Sequence, residues 1–274
     1  METAQLETLQ MQKLVVPELR TGRYLRDQAE IEYSPALVRD KNGNVIVNVN
    51  RDKARELAAS MGGRLSTAAE EQVLSEKGYK NAAFNDNFAR NSQKTYFWQW
   101  TDTALLKPKG KKKYYRHLKN GREYWLRLVA EGGEVVGELW VPQGNGRVVR
   151  ELSVYGLPSE TVDEHRGGTE THWYFDPSLD EAAVLRGRIW DVVHRDCFGL
   201  DADHRPSHSS GGFRLVRGAR PSYEKITEPS RKKSLSPEGA SKGYKQGYKD
   251  GEKSGYDKGV EDAKRKLSKL LERL

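Results

Sequence analysis

Apolar residues in this chain come mostly in short runs broken by polar or glycine-rich stretches, a pattern that predicts strands more often than helices. Ala36-Leu37-Val38 and Val45-Ile46-Val47-Asn48-Val49 flank Arg-Asp-Lys-Asn-Gly-Asn. Asn42-Gly43 between apolar runs predicts a hairpin with a type I′ turn, because both residues accept positive φ, and makes its flanks early strands of the sheet. Tyr96-Phe97-Trp98-Gln99-Trp100 is an aromatic run with β preference; such a cluster stacks on sugars or, more commonly, alternates into a core. Residues 123–129 and 135–141 flank Glu-Gly-Gly-Glu and predict a second hairpin. Residues 148–155 and 172–175 add short apolar pieces.

Helical signals are confined to the first third and the tail. Residues 1–15 carry Leu6, Leu9 and Leu14 among Glu, Gln and Thr, which reads as a short helix or a frayed arm. Asn50 or Asp52 caps a helix running to about Met61, with Leu57 and Met61 on one face and Gly62-Gly63 as the stop. Thr67-x-x-Glu70 is a capping-box pattern that opens a second helix reaching Gly78. Residues 81–94 are polar and Asn-rich, hence a loop. Two early helices among many short β segments describe an α+β domain with long loops.

The division that follows is an N-terminal arm over 1–29, a domain over 30–220, a linker over 221–240 rich in Pro, Ser, Lys and Glu, and a tail over 241–274. In the tail, Gly243, Gly247, Gly251, Gly255 and Gly259 recur every four residues, and Leu267, Leu270, Leu271 and Leu274 close the series. A helix would carry these glycines as one smooth stripe, at about 1 kcal/mol each relative to Ala. Such a helix needs a partner, a second copy or another helix, packed along the stripe; the other reading is a flexible charged tail. The Gly-x-x-x-Gly series resembles that of flagellar export stator proteins.

The formal charge is +8, and residues 231–274 carry +6 of it, so the body is close to neutral and a basic surface for nucleic acid is not supported. The basic stretch 107–119, with Tyr114 and Tyr115 among its lysines, reads as a solvated hairpin tip or a phosphate contact. No apolar run approaches the ~18 residues of a membrane span, and no signal-peptide pattern opens the sequence. Cys197 is the only cysteine, which excludes an internal disulfide and a CxxC metal site, and suits a reducing compartment or a fold without staples.

The chemistry concentrates between Arg186 and Arg217. Arg186, Gly187 and Trp190 open the stretch as scaffold, and residues 212–216, with Gly212, Phe213 and Arg214, close it as a short strand. Phe198 and Pro206 are further anchors. Between them Ile189, Asp191, Val193, His194, Arg195, Asp196, Asp201, Asp203, His204, His208 and Ser209 form a changeable, mostly polar surface suited to contact with a macromolecule. Asp and His offer short donors and acceptors, and Arg grips carboxylate or phosphate with two bonds. Asp203, His204 and His208 are the best metal candidates, but Pro206 disfavours the helix their spacing would need, so no metal and no cofactor is assigned. From Ala182 to Tyr223 there is no Lys, Glu, Gln or Met, although these make up more than a fifth of the chain.

Arg186-Gly187, Trp190, Pro206-Ser207 and Gly212-Phe213-Arg214 resemble the Arg-Gly-Gly-x-Trp to Gly-Phe-Arg half of the C-type-lectin-like fold in formylglycine-generating enzymes (sulfatase-modifying factors), with Arg188 for the second Gly. Residues 54–70, ending Gly63-Arg64-Leu65-Ser66-Thr67-Ala68-Ala69-Glu70, resemble that family's helix and its Gly-x-Arg-Leu-Pro-Thr-Glu-Ala-Glu, with Ser66 for Pro. The resemblance covers roughly residues 30–217. It implies an α+β, C-type-lectin-like fold with short strands, two early helices and long loops, plus the glycine-repeat helix or flexible tail. Catalytic members oxidise a substrate cysteine with a pair of cysteines; Cys197 has no second thiol to pair with.

The fold is shared by the variable proteins of diversity-generating retroelements. Their variable codons, randomised at adenines, yield no Lys, Glu, Gln, Met or Trp. That alphabet fits a variable region over about 186–214, with Trp190 as scaffold. The resemblance implies a non-catalytic protein, of the kind found in viruses and prophages, that recognises or adheres to a protein or glycan on a host or environmental surface; the sequence leaves its location open between cytoplasm and virion. An altered enzyme of the formylglycine-generating superfamily, or an assembly protein acting through its tail, are the alternatives.

Overall fold

The computed structural model describes residues 10–76, 98–109, 114–116, 123–142, 148–162, 171–176, 178–189, 197–203 and 211–226. The chain divides into a unit ending at Ile226 and a second unit, Thr227–Leu274. The glycine-repeat tail and most of the expected linker therefore lie outside the described residues, as does the Asn-rich stretch 81–94.

Helix α1 (Arg51–Ser60) starts where the Asn50 side chain accepts from the Lys53 backbone N–H at 2.7 Å, and ends before Gly62 in the left-handed region at φ +70°. Its buried Ala54 and Ala58 lie one turn apart and pack with Leu65, Trp100, Leu185 and Phe213. The expected capping box forms at helix α2 (Ala68–Glu76): Glu70 N–H donates to Thr67 Oγ1 at 3.2 Å, and Thr67 N–H to Glu70 Oε2 at 2.8 Å.

Among the described residues the remaining regular structure is β. Strands β1 (Gln12–Val16), β2 (Leu19–Thr21), β3 (Tyr24–Arg26) and β4 (Ala29–Tyr33) precede the helices. Then come β5 (Trp98–Leu106), β6 (Tyr114–Arg116), β7 (Glu123–Glu131), β8 (Glu134–Pro142), β9 (Val148–Leu152), β10 (Pro158–Val162) and β11 (Thr171–Phe175). Strands β12 (Glu181–Ile189), β13 (Cys197–Asp203), β14 (Gly211–Phe213), β15 (Val216–Arg217) and β16 (Tyr223–Lys225) follow. The large sheet has the order β11-β13-β12-β5-β7-β6, with β8 on β7 and β14 on β5. Small sheets β1-β4-β15, β16-β3-β2 and β10-β9 complete it. Two helices with many mainly antiparallel strands make this an α+β chain, as the pattern predicts. The β7–β8 hairpin turns at Gly132-Gly133, both at positive φ, where Glu-Gly-Gly-Glu places it.

Several expectations are corrected. Residues 12–16 are strand, not the end of a helix: Leu14 and Val16 alternate inward with Lys13 and Val15 outward, and β1 pairs with β4 along its whole length. The turn at Asn42-Gly43 exists, but only Gly43 has positive φ, and Asp40 Oδ1 accepts from the N–H of Asn42 and Asn44. Its flanks form one isolated bridge, Arg39–Val45, because the Val38 N–H is committed to Phe213 O at 2.9 Å. Residues 212–216 are not one strand. The β14 end joins the large sheet and β15 joins β4, and Ser34 exchanges bonds with Leu215 in the gap between them. The supposed arm and the start of the supposed linker belong to the body, since β3 pairs with both β2 and β16.

Three apolar clusters hold the unit. One fills the space around Trp173, Tyr155, Val129 and Val141; a second joins α1 to Trp100, Leu185 and Phe213; the third joins β1, β4 and β15 to Val73 and Leu74 of α2. Strand β5 is buried along nearly its whole length, as a strand covered on both faces must be.

Candidate ligand-binding end of the large sheet

The register of the large sheet gathers several chain segments at one end. Gly187 of β12 lies opposite both Trp98 of β5 and Gly199 of β13. Trp98 is also the partner of Gly211, and Phe198 is the partner of Thr171. Strands β5, β11, β13 and β14 therefore all begin at this end, and β12 finishes there at Ile189, opposite Cys197. The segments 77–97, 163–170 and 204–210 lead into the sheet at these points, and 190–196 has both of its ends there; 204–210 leaves β13 at the opposite end, after Asp203.

Of the candidate binding residues, Ile189 ends β12, and Asp201 and Asp203 lie in β13, opposite Leu185 and Ala183. They belong to a paired strand between β11 and β12, not to a displayed loop; the alternating Phe-Gly-Leu-Asp-Ala-Asp run supplies its β pattern. Asp191, Val193, His194, Arg195, Asp196, His204, His208 and Ser209 lie outside the described residues, with Trp190 and Pro206. Among the scaffold positions, Arg186 and Gly187 lie in β12 and Phe198 in β13. Gly212 is pressed against Ile46 O and Leu37, where an added Cβ would stand 3.2 Å from each. Phe213 and Arg214 are buried. No group of three or more His, Cys, Asp and Glu stands in a metal-holding arrangement among the described residues.

Directly behind this end lies a buried ionic network whose pairings the sequence reading missed. Arg214 Nε stands 3.0 Å from Glu71 Oε1, and its Nη1 donates to Ser34 O. Glu71 also accepts from Gln99 Nε2 at 2.6 Å, and the same amide nitrogen lies 3.0 Å from Ser66 Oγ. Arg64 grips Glu70 with two bonds, at 2.9 and 2.6 Å. Asp102 takes Arg55 Nε at 2.7 Å and Arg220 Nε at 2.9 Å. Glu70 and Glu71 are fully buried and Asp102 is 1% exposed. The visible signal was an acidic pair, Glu70-Glu71, between Ala68-Ala69 and Val73-Leu74 in a short helix.

Glu131 closes the network and differs from the other acids. It accepts from Thr103 Oγ1 at 3.2 Å and Tyr223 OH at 3.3 Å, while its Oε2 is buried without a hydrogen-bond partner. Burial, with Glu70 and Asp102 nearby, pushes its carboxyl up to about 8. Tyr223 is pushed well above the usual phenol value by burial and by Glu131. The cleft of about 580 Å³ lined by Arg20, Arg26, Gln72, Glu76 and Ser153 shares no residue with the sheet end.

No helix among the described residues is long and apolar enough to cross a membrane. In comparison with known proteins, no protein-family model matches the chain, and neither a curated protein nor a solved structure matches it.

Proposed function

We propose that this chain is a non-enzymatic ligand-binding protein on a C-type-lectin-like scaffold, of the kind diversified by retroelements. Its changeable surface is the sheet end where β5, β11, β13 and β14 begin. The observation that carries the reading is that convergence. The Lys-, Glu-, Gln- and Met-free stretch leaves the sheet there after β12, re-enters there at β13 and, having run to the other end of β13, re-enters there again at β14. Anchored strands presenting connections at one end tolerate change in those connections, as loops on a rigid sandwich do.

A second support is the meeting of the two motifs that carry the family resemblance. Gly63 lies so close to Leu215 that a Cβ would stand 2.6 Å from its Cδ1, Arg64 bridges Val216, and Glu71 pairs with Arg214. Segments far apart in sequence are thus locked behind the sheet end, independently of what its connections contain. Recognition would rest on the short polar groups of Asp191, His194, Arg195, Asp196 and His208. The partner is a protein or glycan rather than nucleic acid, and no step of catalysis is assigned to the lone Cys197.

The coding locus tests this reading. The expected finding is a near-copy of the DNA for residues 186–214 beside a reverse transcriptase gene, differing at adenines. A locus without such a copy, with this stretch unchanged among sister loci, overturns it.

A further inference from the structure

The residues after β15 form a strap across the β7–β8 turn, fastened at several points. Gly218 turns the chain at φ +102° against Glu30 O and Ile31. Arg220 reaches Asp102, and its guanidinium lies against Gly132. Ser222 bonds Asp27 through its hydroxyl, and its carbonyl accepts from Asp27 N–H at 3.1 Å. β16 pairs with β3, and Ile226 N–H donates to Arg23 O at 2.7 Å. The Tyr223 ring packs 4.8 Å from that of Tyr155, and its hydroxyl reaches inward to Glu131.

Glu131 is the weak point under this strap. It is 2% exposed, yet among the described residues no cation stands within ion-pair distance of it; its oxygens meet two hydroxyls or nothing. The charged groups facing it are Glu70 of α2 and Asp102 of β5, both anions, with Arg26 of β3 and Arg64 acting at longer range. Arg220, engaged by Asp102, and Glu134 line the cleft beside it, and the other titratable neighbours are Tyr223 and Tyr155. Arg64 is engaged by Glu70, and Arg26 by the carbonyl oxygens of Val154 and Pro17. An ionised Glu131 would thus be a buried charge without a counter-ion, which is strongly unfavourable. Water is the available remedy, and a cleft of about 410 Å³ lined by Glu131, Arg220, Pro221, Ser222 and Tyr223 brings it to the edge of the strap.

We propose that Glu131 is a proton-operated latch for the strap Gly218–Ile226: protonated, it lets Tyr223 seal it from water; ionised, it drives the strap to open locally. The sign follows from linkage. A carboxyl held up to about 8 in the closed state, against 4.5 when exposed, binds its proton more tightly when closed. Closure is therefore fully favoured below pH 4.5, weakens as pH rises, and reaches its loosest level above about 8. One proton changes the opening equilibrium by about tenfold per pH unit between those limits.

Amide hydrogen exchange on the full chain, corrected for intrinsic rates, reads this directly. From pH 5 to 8 the protection of Tyr223 and Ile226 amides should fall at least tenfold and then level off. Val129, in the core of β7, should stay more protected throughout. Glu131→Gln should leave strap protection within about threefold across the range. Tyr223→Phe should loosen the strap at every pH while keeping the pH slope. A flat wild-type profile, an unchanged slope in Glu131→Gln, or strap and Val129 amides exchanging at the same rates would overturn the latch. The wild-type comparison of strap and Val129 decides the matter even if Glu131→Gln does not fold.

Discussion

At the scale of single residues, the molecule depends on arginines aimed at buried carboxylates. Arg214 is 1% exposed beside a fully buried Glu71 and also lies 5.2 Å over the Tyr33 ring. Removing one member of such a pair leaves a stranded charge, whereas removing both leaves an apolar gap. Arg214→Met alone should therefore cost about 3–5 kcal/mol in urea unfolding, and Arg214→Met with Glu71→Leu should recover much of that loss. A double variant as unstable as the single would mean that the Ser34 and Tyr33 contacts, not the charge pair, hold Arg214 in place. None of these partners was legible in the sequence. Arg214 and Glu71 stand far apart along the chain, and nothing local in either motif specifies the other.

At the scale of elements, local chemistry was legible and long-range pairing was not. Asn50, Gly62 and Thr67-x-x-Glu70 each bound a helix because capping is decided within one turn of the backbone. The Gly132-Gly133 turn was legible for the same reason. The split of residues 211–217 between two sheets was not, because it depends on which strands, β5 and β4, happen to lie alongside. Strand β13 carries a short alternation, but its Gly and Asp residues are poor strand formers, so the run reads more readily as a loop.

Three expectations belong to this scale. Thr67→Ala should cost about 1 kcal/mol, the usual worth of a cap, and circular dichroism during urea unfolding measures it. If Asp191, His194 and His208 belong to the displayed surface, replacing them together with Ala should leave the melting temperature within a few degrees, since surface changes are usually worth about 0.5 kcal/mol or less each. If Trp190 is the anchor that the sequence makes it, Trp190→Ala should cost about 3–5 kcal/mol. A triple variant that unfolds, beside a tolerant Trp190→Ala, would reverse the assignment of anchor and display.

At the scale of the whole molecule, the unit ending at Ile226 contains the three clusters described and closes on its own strap. A chain ending at Ile226 should melt within a few degrees of the full chain. A chain ending at Gly218 loses β16 and leaves Asp102 with one of its two arginines, and should melt about 10 °C lower, taking ~3–5 kcal/mol for the damaged pair. Equal melting of the two truncated chains, followed calorimetrically, would show that the strap contributes nothing to the body.

The parallel pairing of β14 with β5 and the seating of β15 on β4 also bear on how the chain is made. During synthesis the N-terminal strands emerge first, yet β4 and β5 lack these partners until residues 211–217 have been added. Two of the three clusters likewise wait for Phe213, Leu215 and Val216. Whereas the cluster around Trp173 is complete in sequence by Val184, assembly of these two clusters and of the β4 and β5 edges therefore waits for residues 211–217. Residues 227–274 follow that point, and at ~5–20 residues per second their synthesis occupies a few seconds. Whatever else the tail does, it gives the body an interval in which to fold while the chain is still attached to the ribosome.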